Sequence, residues 1–139
     1  ADKAQQEGYK QIAKLFRVIA FSEELHAKRA LKLLKEIQST EENLKTSFES
    51  ETRVAQVAYD DFIKQALAVG DRAASLYFSQ SRDAEEIHAK LYKEAIDHTI
   101  EERDTTYYVC DYCGYVSDGI LPEVCPICRA KKERFVAFT

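Results

Sequence analysis

The segment Glu23-Glu24-Leu25-His26-Ala27-Lys28 recurs almost unchanged as Glu85-Glu86-Ile87-His88-Ala89-Lys90, and the two copies hold two of the chain's three histidines. A carboxylate three residues before an imidazole puts both side chains on one helix face, one turn apart. Two such faces aimed at each other offer two carboxylates and two imidazoles to a common point, which is how a helical bundle holds a pair of metal ions. One Glu-x-x-His is a weak signal on its own. Two copies with matching neighbours favour metal binding over an internal duplication kept for packing.

The second set of candidate ligands is Cys110-x-x-Cys113 and Cys125-x-x-Cys128, two thiol pairs separated by eleven residues. Two short knuckles of this kind bring four sulfurs into a tetrahedron, as in iron–thiolate and structural zinc sites, and the spacing separates the two metals poorly. Disulfides are the competing reading, disfavoured because every cysteine falls in a Cys-x-x-Cys pair and no secretory signal is visible. Gly114 suits the positive φ that a knuckle turn needs after its second cysteine. Arg129 holds the equivalent place after Cys128, so it must tolerate a left-handed backbone or leave that turn less regular.

Helices must position the first set. Ile12, Phe16, Ile19, Glu23, His26, Ala30 and Leu33 recur at steps of three and four, predicting a long helix that stops near Gln38. Ser39 and Glu42 have capping-box spacing for another helix from Thr40. Its stripe is Phe48, Glu51, Ala55, Ala58, Phe62 and Val69, with Gly70 as its stop and Asp71 as the next cap. The third stripe runs Ala74, Phe78, Ser81, Glu85, His88, Tyr92, Ala95 and Thr99. Glu23, His26, Glu51, Glu85 and His88 interrupt these apolar stripes, where a lone carboxylate costs several kcal/mol unless paired. Metal cations supply the compensating charge most simply. Glu24 and Glu86 fall one position off the stripe and read as solvated or supporting residues. His98 lies outside the pattern and reads as a surface histidine. Tyr59 and Tyr92 read first as core aromatics; the functional alternative is a phenol donating a hydrogen bond or proton beside the metals.

Composition divides the chain near Asp104. All four cysteines and both prolines lie beyond it, and residues 107–139 read as hairpins and turns. Two domains are expected, 1–104 and 105–139. A net charge of −4 gives no reason to expect nucleic acid or an anionic membrane as partner. No apolar run approaches the ~20 residues needed to span a bilayer, so a cytoplasmic protein is expected. The chain contains no methionine and opens inside a polar, helix-compatible stretch; a further N-terminal segment is expected to precede it.

These motifs, taken together, resemble the rubrerythrins over nearly the whole chain. Glu23/His26, Glu51 and Glu85/His88 match metal-binding positions of their ferritin-like di-iron domain. Tyr108-Val109-Cys110-Asp111-Tyr112-Cys113-Gly114-Tyr115, the stretch from Pro122 through Cys125 to Cys128, and the closing run from Lys131 to Phe138 look like their rubredoxin domain. The resemblance implies a mainly α fold: a ferritin-like four-helix bundle, three of its helices in this chain, followed by a small rubredoxin-like β/turn domain. It also implies a non-haem di-iron peroxidase protecting against oxidative stress. Glu23, His26, Glu51, Glu85 and His88 would hold two irons, and Cys110, Cys113, Cys125 and Cys128 a single iron that delivers electrons. Hydrogen peroxide, or oxygen, is the implied substrate, and an NAD(P)H-dependent reductase the electron source.

Two positions depart from the family pattern. Its first helix, with one more glutamate ligand, is absent from these residues, so another segment or chain is expected to supply it. A further glutamate usually stands one turn after the position of Glu51, and here that residue is Val54, which leaves His26 bound in both redox states. In ferritin-like bundles the second and third helices run parallel, and the link after Gln38 is too short to recross the bundle. Either these helices form an antiparallel hairpin or two chains exchange halves; the second fits the family fold, so a domain-swapped homodimer is expected. A ferritin-like ferroxidase and a zinc-loaded, non-enzymatic scaffold are the alternatives, with a nucleic-acid-binding ribbon least favoured.

Overall fold

The computed structural model describes residues 1–97 and 104–139. His98 and Thr99 lie outside the described residues. The chain falls into two compact units, Ala1–Ser39 and Thr40–Thr139.

The first unit is a short helix α1 (Asp2–Gln6) followed by a long helix α2 (Lys10–Leu33). Gly8, at φ +86°, makes the turn between them. Arg17 reaches Asp2 at 3.3 Å, and Ala4 and Ala13 are the unit's buried residues. α2 ends at Leu33, five residues before the expected stop at Gln38. The cause is a Schellman turn: Lys35, at φ +57°, donates its N–H to the Lys32 carbonyl, and the Glu36 N–H reaches the Leu31 carbonyl. A glycine normally marks such a turn, and here a lysine takes the left-handed position.

The second unit begins with α3 (Thr40–Arg53), as the capping-box spacing suggested. A π-helical turn, Val54–Ala58, carries it into α4 (Tyr59–Ala68). Gly70, at φ +74°, then closes the turn while the Asp71 N–H bonds the Ala66 carbonyl at 2.9 Å. The Asp71 carboxylate accepts the Ala74 N–H at 2.9 Å and caps α5 (Arg72–Ile96). α5 packs against α3, the π turn and α4 in turn, so it folds back along the whole rod. Buried Ala55, Ala66 and Ala84 allow the close approach. Tyr59, Phe62 and Phe78 cluster with ring centroids 5.4–6.3 Å apart.

Beyond Asp104, β1 (Tyr107–Cys110), β2 (Val116–Asp118) and β3 (Phe135–Phe138) form an antiparallel sheet in the order β2-β1-β3. Tyr108 sits opposite Ser117 on one side and Ala137 on the other. The buried Ser117 hydroxyl donates to the Ile120 carbonyl, and Arg134 pairs with Asp111 at 2.6 Å. β2 lies against α5. Among the described residues no helix is long and apolar enough to cross a membrane.

The core of the helical part is thin. Its fully buried residues are alanines, while Phe16 and Phe21 of α2 remain 55% and 60% exposed.

Candidate metal centres

Within the second unit, Glu51 of α3 and Glu85 and His88 of α5 bring one ligand atom each within 4.8 Å of one another. The i, i+3 spacing places Glu85 and His88 side by side, with His88 Nδ1 2.8 Å from Glu85 Oε2. His88 Nε2 lies 2.9 Å from the carbonyl oxygen of Gly114. A carbonyl only accepts, so Nε2 carries the proton and donates it to Gly114. That bond fixes the ring and turns Nδ1 toward the carboxylates, the orientation an outer partner gives a metal-ligating histidine.

The Glu51 carboxyl is pushed up from 4.5 to about 7. Burial is the main cause, followed by its hydrogen bond with Glu85 and the charge of that carboxylate; His88 acts in the opposite direction. Two carboxylates and one imidazole packed this closely form a donor set whose charge a metal cation would balance. The Tyr59 phenol is half-buried and hydrogen-bonds Ser81. Burial raises its pKa above the ordinary tyrosine value, and the Glu85 and Glu51 charges add to that. Tyr92 lines a cleft of about 400 Å³ with Glu51, His88, Leu44, Leu91 and Tyr107. Tyr59 packs against Phe62 and Phe78 as a core aromatic does, and Tyr92 shares the cleft with Glu51 and His88.

Glu23 and His26 pair with each other at 3.1 Å on α2. They are not buried as their stripe predicted, with side chains 68% and 71% exposed. Ile12, Phe16 and Ile19 on the same stripe are also about half exposed, at 47%, 55% and 51%. The pair does lie on the apolar face, but this face is uncovered, and burial needs a covering surface as well as a stripe.

All four cysteine sulfurs converge. Cys110 Sγ is 3.7 Å from Cys128 Sγ, and Cys113 Sγ is 3.6 Å from Cys125 Sγ. A disulfide bond needs about 2.05 Å, so these are free thiols. A metal–sulfur bond of about 2.3 Å puts tetrahedral sulfurs about 3.8 Å apart, so the cradle fits a tetrathiolate metal. Cys110 and Cys125 are fully buried. Burial and the neighbouring thiols push Cys113 and Cys128 up. The Cys110 thiol is lowered: burial opposes its ionisation, but N–H groups of Cys113 and Tyr112 outweigh it. The two knuckles match in backbone, with Gly114 at φ +79° and Arg129 at φ +64°.

The family pattern for rubrerythrin matches residues 1–96, and that for the rubrerythrin rubredoxin-like domain matches residues 108–136. The chain belongs to the rubrerythrin family. Rubrerythrin-2 of Clostridium acetobutylicum is 32% identical over 99% of this chain and 84% of its own length. Nigerythrin of Nitratidesulfovibrio vulgaris is 30% identical over 99% of this chain and 75% of its own. A solved structure of nigerythrin in a mixed-valence state superposes with a TM-score of 0.68 at 30% identity, covering 97% of this chain and 74% of that one. A fully reduced, all-ferrous nigerythrin gives 0.67 at 28% identity, covering 99% and 75%. This member is thus a di-iron, rubredoxin-linked oxidative-stress protein of the oxidoreductase class, with the mainly helical, ferritin-like plus rubredoxin-like fold expected. Iron is its cofactor: the tetrathiolate cradle and the Glu/His group suit it chemically, and the family's substrates are peroxide or oxygen.

Sequence reasoning missed three features of this rubrerythrin site. The π turn three residues after Glu51 has no residue-type signature, although such turns recur at functional sites. The His88–Gly114 contact joins residues 26 apart in the chain. Leu44 and Tyr107 of the cleft carry no chemical motif.

Proposed function

We propose that this protein is a peroxidase that reduces hydrogen peroxide to water with electrons delivered through a rubredoxin-type iron. One observation carries the reading: the Glu51/Glu85/His88 cluster lies a single hydrogen bond from the first thiolate knuckle, through His88 Nε2 and Gly114 O at 2.9 Å. A peroxidase needs an electron store in short reach of the oxygen-ligand site, and this contact supplies covalent and hydrogen-bonded continuity from Cys113 to His88.

Each residue then has a role. Glu51, Glu85 and His88 hold iron, with Glu23 and His26 completing the set; Cys110, Cys113, Cys125 and Cys128 hold the electron-delivering iron. Bound at these positions, iron would supply ferrous/ferric cycling and a Lewis acid for peroxide. Gly114 orients His88 by accepting its Nε2 proton. Tyr59, held against Ser81, faces the carboxylates from α4 and is placed to donate a proton. Leu44 and Leu91 keep the approach past Tyr92 largely apolar.

We assign residues 1–104 to the di-iron domain and 105–139 to the rubredoxin-like domain, and we place the protein in the cytoplasm with an NAD(P)H-dependent reductase as its electron source. A second copy of the chain completes each site as a swapped homodimer. From His26 to Leu33 and from Thr40 to Glu51, the helices advance about 10 and 17 Å at 1.5 Å per residue. A recrossing would therefore span about 27 Å. The six residues 34–39 between the helices include the compact turn at Lys35 and fall well short of their extended reach of about 20 Å. The uncovered apolar face of α2 supports the same reading. A solution mass equal to one chain, measured on the iron-loaded protein, would sink it.

A ferroxidase is the second reading. It is favoured by Val54, which puts an apolar side chain where the family usually carries a further carboxylate. Peroxide turnover by iron-loaded protein with a reduced rubredoxin donor decides between them. Turnover no faster than free iron refutes the peroxidase; rapid iron uptake with oxygen and little peroxide turnover supports the ferroxidase.

A further inference from the structure

The two thiolate knuckles have nearly the same backbone and differ at one telling position. The Gly114 N–H bonds the Cys110 carbonyl at 2.9 Å, and the Arg129 N–H bonds the Cys125 carbonyl at 3.1 Å. Both residues directly follow the second cysteine of their knuckle, and both sit at positive φ, +79° and +64°. Glycine meets that requirement without strain, whereas arginine brings its Cβ against the following carbonyl. A strained residue that the turn does not need is a pointer to what its side chain does.

The side chain is a charge left uncompensated. Of the cations around the second knuckle, Lys132 is paired with Glu123 at 3.1 Å and Arg134 with Asp111 at 2.6 Å, while Lys131, three residues beyond Cys128, is in no ion pair with a described residue. Arg129 is exposed and makes no ion pair with any described residue. It is joined directly to Cys128. Iron held by four thiolates carries one net negative charge when ferric and two when ferrous, since reduction adds one electron and removes no ligand. A fixed positive charge beside the cluster therefore favours the ferrous form more than the ferric.

We propose that Arg129 is a positioning residue for redox poise: it holds a positive charge at the rim of the tetrathiolate site and raises the reduction potential of the iron there. The inference rests on iron in the tetrathiolate site and not on the peroxidase reading. An exposed charge interaction of this kind changes the ferrous-to-ferric ratio at fixed potential by about two- to fivefold, where tenfold corresponds to about 59 mV for a one-electron couple.

The test is a spectroelectrochemical titration of the full chain, iron-loaded, following the visible ferric–thiolate absorption at low ionic strength. Arg129→Gly and Arg129→Gln both lower the midpoint potential, by the same amount, with the absorption intact; Arg129→Lys keeps it, and Arg129→Glu lowers it further. Added salt narrows the gap between wild type and Arg129→Gln. Potentials of Arg129→Gln and Arg129→Glu equal to that of wild type overturn the proposal. So does a drop confined to Arg129→Gly, which would assign the effect to the backbone. Thermal melts of the same variants without metal give a second readout: Arg129→Gly relieves the left-handed strain and melts no lower than wild type.

Discussion

Replacing Glu51 by glutamine should stabilise the metal-free protein at neutral pH and destabilise the metal-loaded one. In the metal-free fold, Glu51 takes up its proton at about 7 instead of 4.5, because burial and the facing Glu85 penalise its charge. The folded state therefore binds more protons than the unfolded chain between those values, and stability falls as pH rises through that window. At 1.36 kcal/mol per pH unit, the interval sets a ceiling of about 3.4 kcal/mol. Glu51 is only partly buried, and water screening brings the expectation to about 1–2 kcal/mol. Glutamine keeps the shape and the hydrogen bond but cannot ionise. In chelator-treated protein, Glu51→Gln should thus match wild type near pH 4.5 and melt about 2–6 °C higher at pH 8. On loading with iron the order should reverse, since the variant has lost a ligand and with it part of the binding energy that stabilises the fold. Thermal melts by circular dichroism from pH 4.5 to 8, with and without metal, read both arms. A variant that keeps the wild-type pH dependence without metal, or melts lower at pH 8, would refute the reasoning.

Cys125→Ser removes a fully buried thiolate and should abolish the visible ferric–thiolate absorption while iron bound at the Glu/His cluster persists, as metal analysis would show. Tyr59→Phe removes the hydroxyl bonded to Ser81, a loss of about 0.5–1.5 kcal/mol in denaturant titrations; peroxide turnover should slow with iron content unchanged. Gly70→Ala meets no atom within 4 Å of the added Cβ, yet the backbone stands at φ +74°. The cost is therefore conformational alone, about 1–2 kcal/mol, readable as a lower melting temperature with unchanged metal content.

What could be read from the sequence was local. Glu85 and His88 are one helical turn apart, and that spacing alone puts them side by side. Gly70 and Asp71 announce a stop and a cap because backbone conformation and side-chain chemistry there depend on residue type. Each Cys-x-x-Cys closes its own short knuckle, one between β1 and β2 and one inside the Val124–Lys131 bridge, so each pair of sulfurs is brought together locally. Three features were not legible, for distinct reasons. The helix stop at Lys35 depends on main-chain hydrogen bonds that a lysine also permits, so no glycine flagged it. The His88–Gly114 bond depends on how β2 packs on α5, which no periodicity encodes. The exposure of Glu23 and His26 depends on what covers α2, and a stripe marks only the face that needs covering.

The π turn at Val54–Ala58 sets the phase of the rod that contains it. An α-helix closes each turn with a bond four residues back and a π turn with one five residues back, so Val54–Ala58 takes up one residue more than an α-helix would while α3 and α4 stay continuous. Glu51 before the turn and Tyr59 and Phe62 after it all address the same partner, α5. Deleting one residue of Val54–Ala58 would restore plain α-helix and leave Glu51 in phase with the aromatic cluster. Inserting one more, with the wide turn already full, would swing Glu51 about 100° out of step. The carboxylate would then survive in the chain and be lost from the site, so length here is as much a determinant of the metal centre as the identity of its ligands.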